Sequence, residues 1–236
     1  MNHKNNCVVC GADIIYLENL VEKKCYYCHS KLDTDTICKV GHFICDTCHS
    51  AGALNLIEKF CISTELLDPI KMVNILMKNP VIKMHGPEHH FLIPGVLLAA
   101  YYNFIKKPEL KESMIIKART RSKRTQGGNC GFLGNCAAAV GTGIFVSLIT
   151  GATPLSKQEW RVSNLMTADS LHKIAVCGGP RCCKRNTYIA ILEAVKFVNK
   201  HLNIHLRATE SINCTYSNLN KECIAKDCLF YNENLK

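Results

Sequence analysis

The sequence predicts a mostly α-helical protein preceded by a small, metal-stapled module with little regular structure. Two observations carry this expectation. Residues 1–50 are rich in cysteine and polar side chains and hold few apolar runs, so they cannot bury much core and need a staple. From Val81 onward apolar residues recur at helical spacing, and the β-branched alternation that marks strands is scarce. The chain has 236 residues, 47% hydrophobic and 20% charged, which suits one sizeable core plus a module and excludes a disordered chain.

The elements follow in order. A short helix is expected over Ala51–Phe60. A second starts at Asp68, a capping residue, with Pro69 at the first helical position, and runs through Ile70, Val73, Ile75 and Leu76. Phe91–Ile105 is apolar almost all round and therefore buried. Glu109–Ala118 is the next helix, and Lys117–Arg124 reads as a basic connector ahead of the Gly127–Gly128 turn. Cys136–Thr150 is a helix of small residues, followed by helices over Trp160–Ala175 and Lys184–His201. Asn203–Lys236 is a polar tail with three more cysteines. The expected division is a zinc module at 1–50, a helical linker at 51–82, a helical iron–sulfur domain at 83–202 and a C-terminal tail at 203–236.

Gly127–Leu155 carries no charged residue and is long enough to span a bilayer. Its glycines, with Asn129 and Asn135, fit better as a loop followed by a buried helix whose small residues allow close packing. No signal peptide opens the chain, since Met1–Asn6 runs directly into Cys7 and Cys10. A cytoplasmic protein without a membrane span is expected, and its 16 cysteines then point to thiolates on metals and not to disulfides. The formal charge of +10 counts those cysteines as neutral, so it is a weak signal for nucleic acid.

Four ligand pairs stand in the first fifty residues: Cys7/Cys10, Cys25/Cys28, Cys38/His42 and Cys45/Cys48. Two residues between cysteines let both sulfurs reach one tetrahedral ion from a tight turn, and two pairs close a site. Eight ligands suit two zinc ions. The series resembles part of a RING-like or treble-clef arrangement. A cross-braced pairing would place Cys7, Cys10, Cys38 and His42 on one ion and Cys25, Cys28, Cys45 and Cys48 on the other, while sequential pairing satisfies the same spacing. The sites are closed, which favours a structural role over catalysis. Cys25–His29 and Cys45–His49 also match the C-x-x-C-H haem motif, but haem attachment normally follows export.

Further along, Cys130, Cys136, Cys177, Cys182 and Cys183 lie near glycines or arginines at the ends of apolar helices. Glycine lets backbone amides approach a ligand closely, which suits a sulfide-rich cluster, although buried cysteines also occur simply as core residues. The run Gly134-Asn-Cys136 with Val140-Gly141, then Gly151 and Pro154, then Cys177-Gly-Gly-Pro180 and Cys182-Cys183-Lys184-Arg185-Asn186 resembles the α-domain of bacterial iron–sulfur L-serine dehydratases, and more distantly the cysteine desulfidases. Ile93-Pro94-Gly95-Val96-Leu97 resembles that family's helix start, and the similarity covers about residues 83–200. It implies a [4Fe–4S] cluster on Cys136, Cys177 and Cys182 with one iron open to substrate, Cys130 and Cys183 being extra thiols able to close the fourth position. Cys177 and Cys182 are closer together than their counterparts in that family, His85-Gly86-Pro87-Glu88-His89-His90 replaces its Pro-Thr-x-Gly segment, and its β-domain is missing.

The function this implies is a lyase of the dehydratase or desulfidase type, acting on a small hydroxy- or thiol-bearing amino acid. His85, Glu88, His89 or His90 would take the proton that β-elimination requires, or else serve as capping and turn residues. Arg181 and Arg185 would bind a substrate carboxylate, or offset the cluster's charge with Lys184. Two alternatives stand beside it. One is a sulfur-transfer protein with persulfide on Cys130 or Cys183, a role in sulfur metabolism. The other is an iron–sulfur and zinc protein that holds RNA through residues 117–124 or serves a structural or electron-transfer role. Cys214, Cys223 and Cys228 could form a further metal site, although their 8- and 4-residue gaps are unspecific, Cys61 carries no motif, and a homo-oligomer is compatible with the sequence.

Overall fold

The computed structural model describes residues 7, 9–45, 48 and 52–233. The helix start expected at Ala51 and the last three residues of the tail lie outside them. The N-terminal module is built on one antiparallel hairpin, β1 (Ile14–Lys24) and β2 (Lys31–Cys38), paired from Ile14↔Cys38 to Lys24↔Lys31 with an irregularity between Tyr16 and Val21. Cys25–Ser30 closes the hairpin, His29 taking a positive φ of 60° and Cys25 N–H donating to the Ser30 carbonyl at 2.9 Å.

The rest is helical: α1 (Ala53–Ser63), α2 (Pro69–Met77), α3 (Glu88–Phe104), α4 (Pro108–Ser122), the single turn α5 (Asn129–Phe132), α6 (Ala137–Thr150), α7 (Gln158–Val176) and α8 (Cys183–His201). The α3 helix is the hub, contacting α1, α2, α4, α6 and α8. Its buried residues run all round, as its sequence demands. Asp68 caps α2 as expected, its Oδ1 accepting from the amides of Ile70 at 2.9 Å and Lys71 at 3.3 Å. The α6 helix packs between α3 and α7 because two of its positions lack a side chain. A Cβ on Gly141 would meet the Pro94 ring at 3.0 Å, and one on Gly143 would run into Thr167. This is the close approach that the small-residue pattern anticipates, and among the described residues no helix is long and apolar enough to cross a membrane.

The segment expected as a helical linker, residues 51–82, supplies Leu56, Ile57, Phe60, Ile70 and Val73 to the core. Cys61 is likewise core, fully buried, and a Cβ on Gly95 would stand 3.3 Å from its sulfur. The module docks on α1 through buried Tyr27, whose carbonyl accepts from Ser63 Oγ at 3.4 Å, and through His29 against Phe60.

The basic run 117–124 is corrected by the structure. It is mostly helix, because α4 continues through Ser122 and ends by C-capping at Lys123. Arg119 pairs with Glu58 at 3.1 Å and with Asn55, and Arg121 donates to Ser147 Oγ at 2.8 Å, so both arginines fasten neighbouring helices. The tail beyond residue 203 folds back onto the core: Leu206, Tyr216 and Phe230 are buried, and Thr209 is held by Asp68 Oδ2.

Candidate metal centres and a cysteine-lined cleft

Two groups of four ligands assemble in the N-terminal module. Cys7, Cys10, Cys38 and His42 form one and Cys25, Cys28, Cys45 and Cys48 the other, each with its ligand atoms within 4.8 Å of one another. The arrangement is the cross-braced one: the first and third pairs meet, and so do the second and fourth. The turns explain why. Gly11 and Gly41 follow their cysteines at φ of 74° and 90°, where a side chain would be strained, and their amides return to the Cys7 and Cys38 carbonyls at 2.7 Å. Backbone amides also reach sulfur, from Val40 to Cys38 at 3.3 Å and from Cys45 to Cys25 at 3.4 Å. Amides aimed at sulfur favour thiolate over thiol, so both groups can hold a metal ion.

In the helical part, cysteines sit where helices begin. Cys136 is the N-cap of α6, and Cys182 is the N-cap of α8 with Cys183 as its first residue. Helix N-termini present unsatisfied amides and partial positive charge, which favours thiolates. Cys130, Cys136 and Cys183 line one small cavity together with His89, His90, Arg181 and Asn186. It opens beside a cleft of about 570 Å³ that Cys130, Cys136, Arg181 and Asn186 also line. Asn186 Nδ2 donates to Cys136 Sγ at 3.4 Å. Burial pushes the Cys183 thiol up to about 11, against the pull of the Gly86 amide, so a metal is what would deprotonate it near neutral pH.

No one of these cavities is lined by all three of Cys136, Cys177 and Cys182. Cys182 lines a different one, because neighbouring residues at a helix start face different ways, and Cys177, at the C-terminus of α7, falls outside both linings.

The acid–base candidates separate in the same way. His85 Nε2 is engaged by Asn220 Oδ1 at 3.1 Å and Glu222 Oε2 at 3.2 Å. Glu88 is buried, accepts the Lys83 amide at 2.8 Å and folds over Gly86, where any side chain would clash with it. His89 is buried and burial pulls its pKa down to about 3, so it is neutral. Its Nε2–H donates to the Lys83 carbonyl at 3.0 Å, and its Nδ1 lies 3.1 Å from Thr187 Oγ1, a hydroxyl that also donates to the Cys183 carbonyl at 2.7 Å, so both nitrogens face protein partners. His90 donates from Nδ1 to the Thr125 carbonyl at 3.0 Å, and burial holds its pKa below the ordinary imidazole value, so Nε2 carries a lone pair at neutral pH. Arg181 is exposed at the cleft. Arg185 is buried and donates to the Gly178 and Pro180 carbonyls at 2.7 and 3.0 Å, which fixes the loop before α8. Asn186 closes the Cys182–Asn186 motif, and its bond to Cys136 depends on helix packing that spacing does not reveal.

A family of unknown function, DUF5714, matches residues 57–231, most of the chain, and the chain belongs to it. The match takes in α1 from Ile57 onward, α2 to α8 and the tail cysteines, and leaves out the N-terminal module. No curated protein and no solved structure matches the chain.

Proposed function

We propose that this DUF5714 protein is an iron–sulfur lyase with a zinc-stapled N-terminal module, acting on a small amino acid that bears a hydroxyl or thiol. Zinc suits the module because both groups are closed tetrahedral sets of thiolate and imidazole, the donors of structural zinc sites. In the helical part the supporting observation is a single one: Cys130, Cys136 and Cys183 face a cavity that opens onto a cleft, beside a charged Arg181 and a neutral His90. Three soft thiolates without a fourth suit an iron–sulfur cluster, and they share Cys136 with the trio that the dehydratase resemblance implies.

A cluster held this way supplies Lewis acidity toward a departing hydroxyl or thiol. The chain supplies the rest. Arg181 binds and orients the substrate carboxylate from the rim of the cleft. His90 Nε2 takes the proton from the carbon beside the carboxylate, its ring fixed through Nδ1 by the Thr125 carbonyl. The electron pair left on that carbon forms the double bond as the hydroxyl or thiol departs with its own pair, and hydrolysis of the resulting enamine gives a keto acid and ammonia. Asn186 positions Cys136 and takes no part in proton transfer. RNA binding has less support, since Arg119 and Arg121 of the basic run are engaged in helix packing.

The test is anaerobic purification followed by iron and sulfide analysis, Mössbauer spectra with and without serine or cysteine, and assay for ammonia with pyruvate or sulfide. An iron signal that shifts with substrate, and turnover lost in Cys136→Ser and His90→Gln, is expected. A cluster that ignores both amino acids, with no product, contradicts the lyase.

A further inference from the structure

Four cysteines from two distant parts of the chain line a cavity that the lyase reading does not use. Cys182 contributes from the start of α8, and Cys214, Cys223 and Cys228 from the segment that folds back after it. Met84, Tyr188, Tyr216 and Phe230 make much of the remaining wall of this cavity of about 20 Å³. Nothing in the 8- and 4-residue spacing of the last three predicts that they meet Cys182.

Each of three sulfurs accepts a backbone amide. Arg185 N–H donates to Cys182, Tyr216 N–H to Cys214 and Ala225 N–H to Cys223, all at 3.4 Å. The same kind of bond marks the N-terminal metal groups, so these thiols are prepared as ligands in the same way. The spacing differs. The N-terminal ligand atoms converge within 4.8 Å, and the described residues hold no other group of three or more that does. Thiols set round a cavity wall, farther apart than ligands on one ion, suit a polynuclear centre.

Charge gives a third, independent observation. Lys184 and Arg185 directly follow Cys182 and Cys183, and both are buried. Lys184 Nζ donates to the Ile82 carbonyl at 3.0 Å and to Met77 O, and stands 4.8 Å over the Tyr216 ring in the cavity wall. Arg185 meets the carbonyls of Gly178 and Pro180 and itself lines the cavity. Among the described residues neither makes an ion pair with a carboxylate, although the negative charge acting most on Lys184 is that of buried Glu88, ahead of Cys183, Cys182 and Cys214. Buried cations are costly without a counter-charge, and an anionic thiolate-ligated cluster provides one.

The geometry points to a [4Fe–4S] cluster held by Cys182, Cys214, Cys223 and Cys228, with every iron ligated by protein. Such a cluster is closed to substrate and fastens the C-terminal segment onto α8. It shares no ligand with the cleft centre, so the two stand or fall separately.

The test uses the full chain purified anaerobically. The double variant Cys223→Ser, Cys228→Ser should lose about four irons and four sulfides per chain relative to wild type. Cys130→Ser, Cys136→Ser should keep them and lose only the cleft centre. Unchanged iron and sulfide in the first variant overturns the proposal, as does a loss of zinc instead of iron and sulfide. Should the first variant fail to fold, alkylation of the wild type decides. Cys182, Cys214, Cys223 and Cys228 should resist iodoacetamide until iron is stripped by oxidation and chelation, then label. Equal labelling before and after stripping overturns the proposal.

Discussion

The N-terminal module and the helical core both gather cysteines, but they do so by different physics. In the module each pair of ligands is made by one tight turn, Cys7 to Gly11 or Cys38 to His42, so local geometry nearly builds half a site. In the core each cysteine is delivered by a helix terminus or a loop, and its partners arrive from as far as the 182-to-228 separation. Apart from Tyr27 and a few neighbours the module buries little apolar surface, so ions in its two ligand groups would be what holds its fold. The core depends on α3 and its neighbours, so its cysteines are free to serve chemistry.

The most severe test of that contrast is Cys25→Ser. It should release one ion, and amides of Ile14–Cys38 should lose protection in hydrogen exchange while those of α3, α6 and α8 keep theirs. Structural zinc in small modules is worth on the order of 10 kcal/mol, so loss of the module's fold is expected. Simultaneous collapse of the helices would merge the two regions into one cooperative unit.

Gly141→Leu strikes the core instead. A side chain there meets Pro94, with Ile93 and the His90 carbonyl just behind, and overpacking of this kind costs about 1–3 kcal/mol. The loss should show in chemical denaturation, with metal content of the module unchanged.

Acid should also weaken the core through His89. His89 is neutral when folded, with a pKa near 3, and titrates near 6.5 when unfolded. Its folded value is depressed, so the unfolded state binds the extra proton. Stability therefore falls as pH drops below about 6.5, by up to about 1.4 kcal/mol per pH unit for this group. Replacing His89 with Gln should flatten that dependence; an unchanged slope would show that other groups set it.

Asp68→Ala removes the α2 cap and the anchor of Thr209 together, a cost of about 1–2 kcal/mol. Faster exchange at Thr209 should accompany it. The smallest effect is expected for Arg119→Ala. Its pair with Glu58 is about a fifth exposed on both sides, and partly exposed pairs contribute only about 0.2–1 kcal/mol.

Much of this was legible in the sequence, and the reasons are specific. Asp68 with Pro69 marked a helix start because capping is local. The run Cys136–Thr150 marked a buried helix because only small residues allow contact with Pro94 and Thr167. The eight ligands of the metal groups were legible because each pair closes within one turn, but spacing left cross-braced and sequential pairing open, and the fold selects the first. The helical cysteines could not be grouped by spacing. Cys182 and Cys183 are adjacent in sequence yet line different cavities, which depends on how α8 sits against the tail and against α6. The four residues His85, Glu88, His89 and His90 looked alike as bases, and only their partners distinguish them, Thr187 and Lys83 facing the two nitrogens of His89 while Thr125 leaves one nitrogen of His90 for chemistry. The basic run read as a loop because its apolar positions are few, and α4 extends through it on the strength of Arg119 and Arg121 contacts to other helices.

The central claim is that two kinds of metal chemistry divide along the chain, single ions in the module and iron–sulfur centres in the helical core. Element analysis of the full chain, purified and reconstituted without oxygen, tests it most directly when read with labile sulfide. About two zinc ions per chain are expected from the module, together with iron matched by an equal amount of sulfide. Cys25→Ser should lower the zinc alone, and Cys136→Ser the iron and sulfide alone. Zinc in every site with no iron or sulfide after reconstitution would contradict the claim.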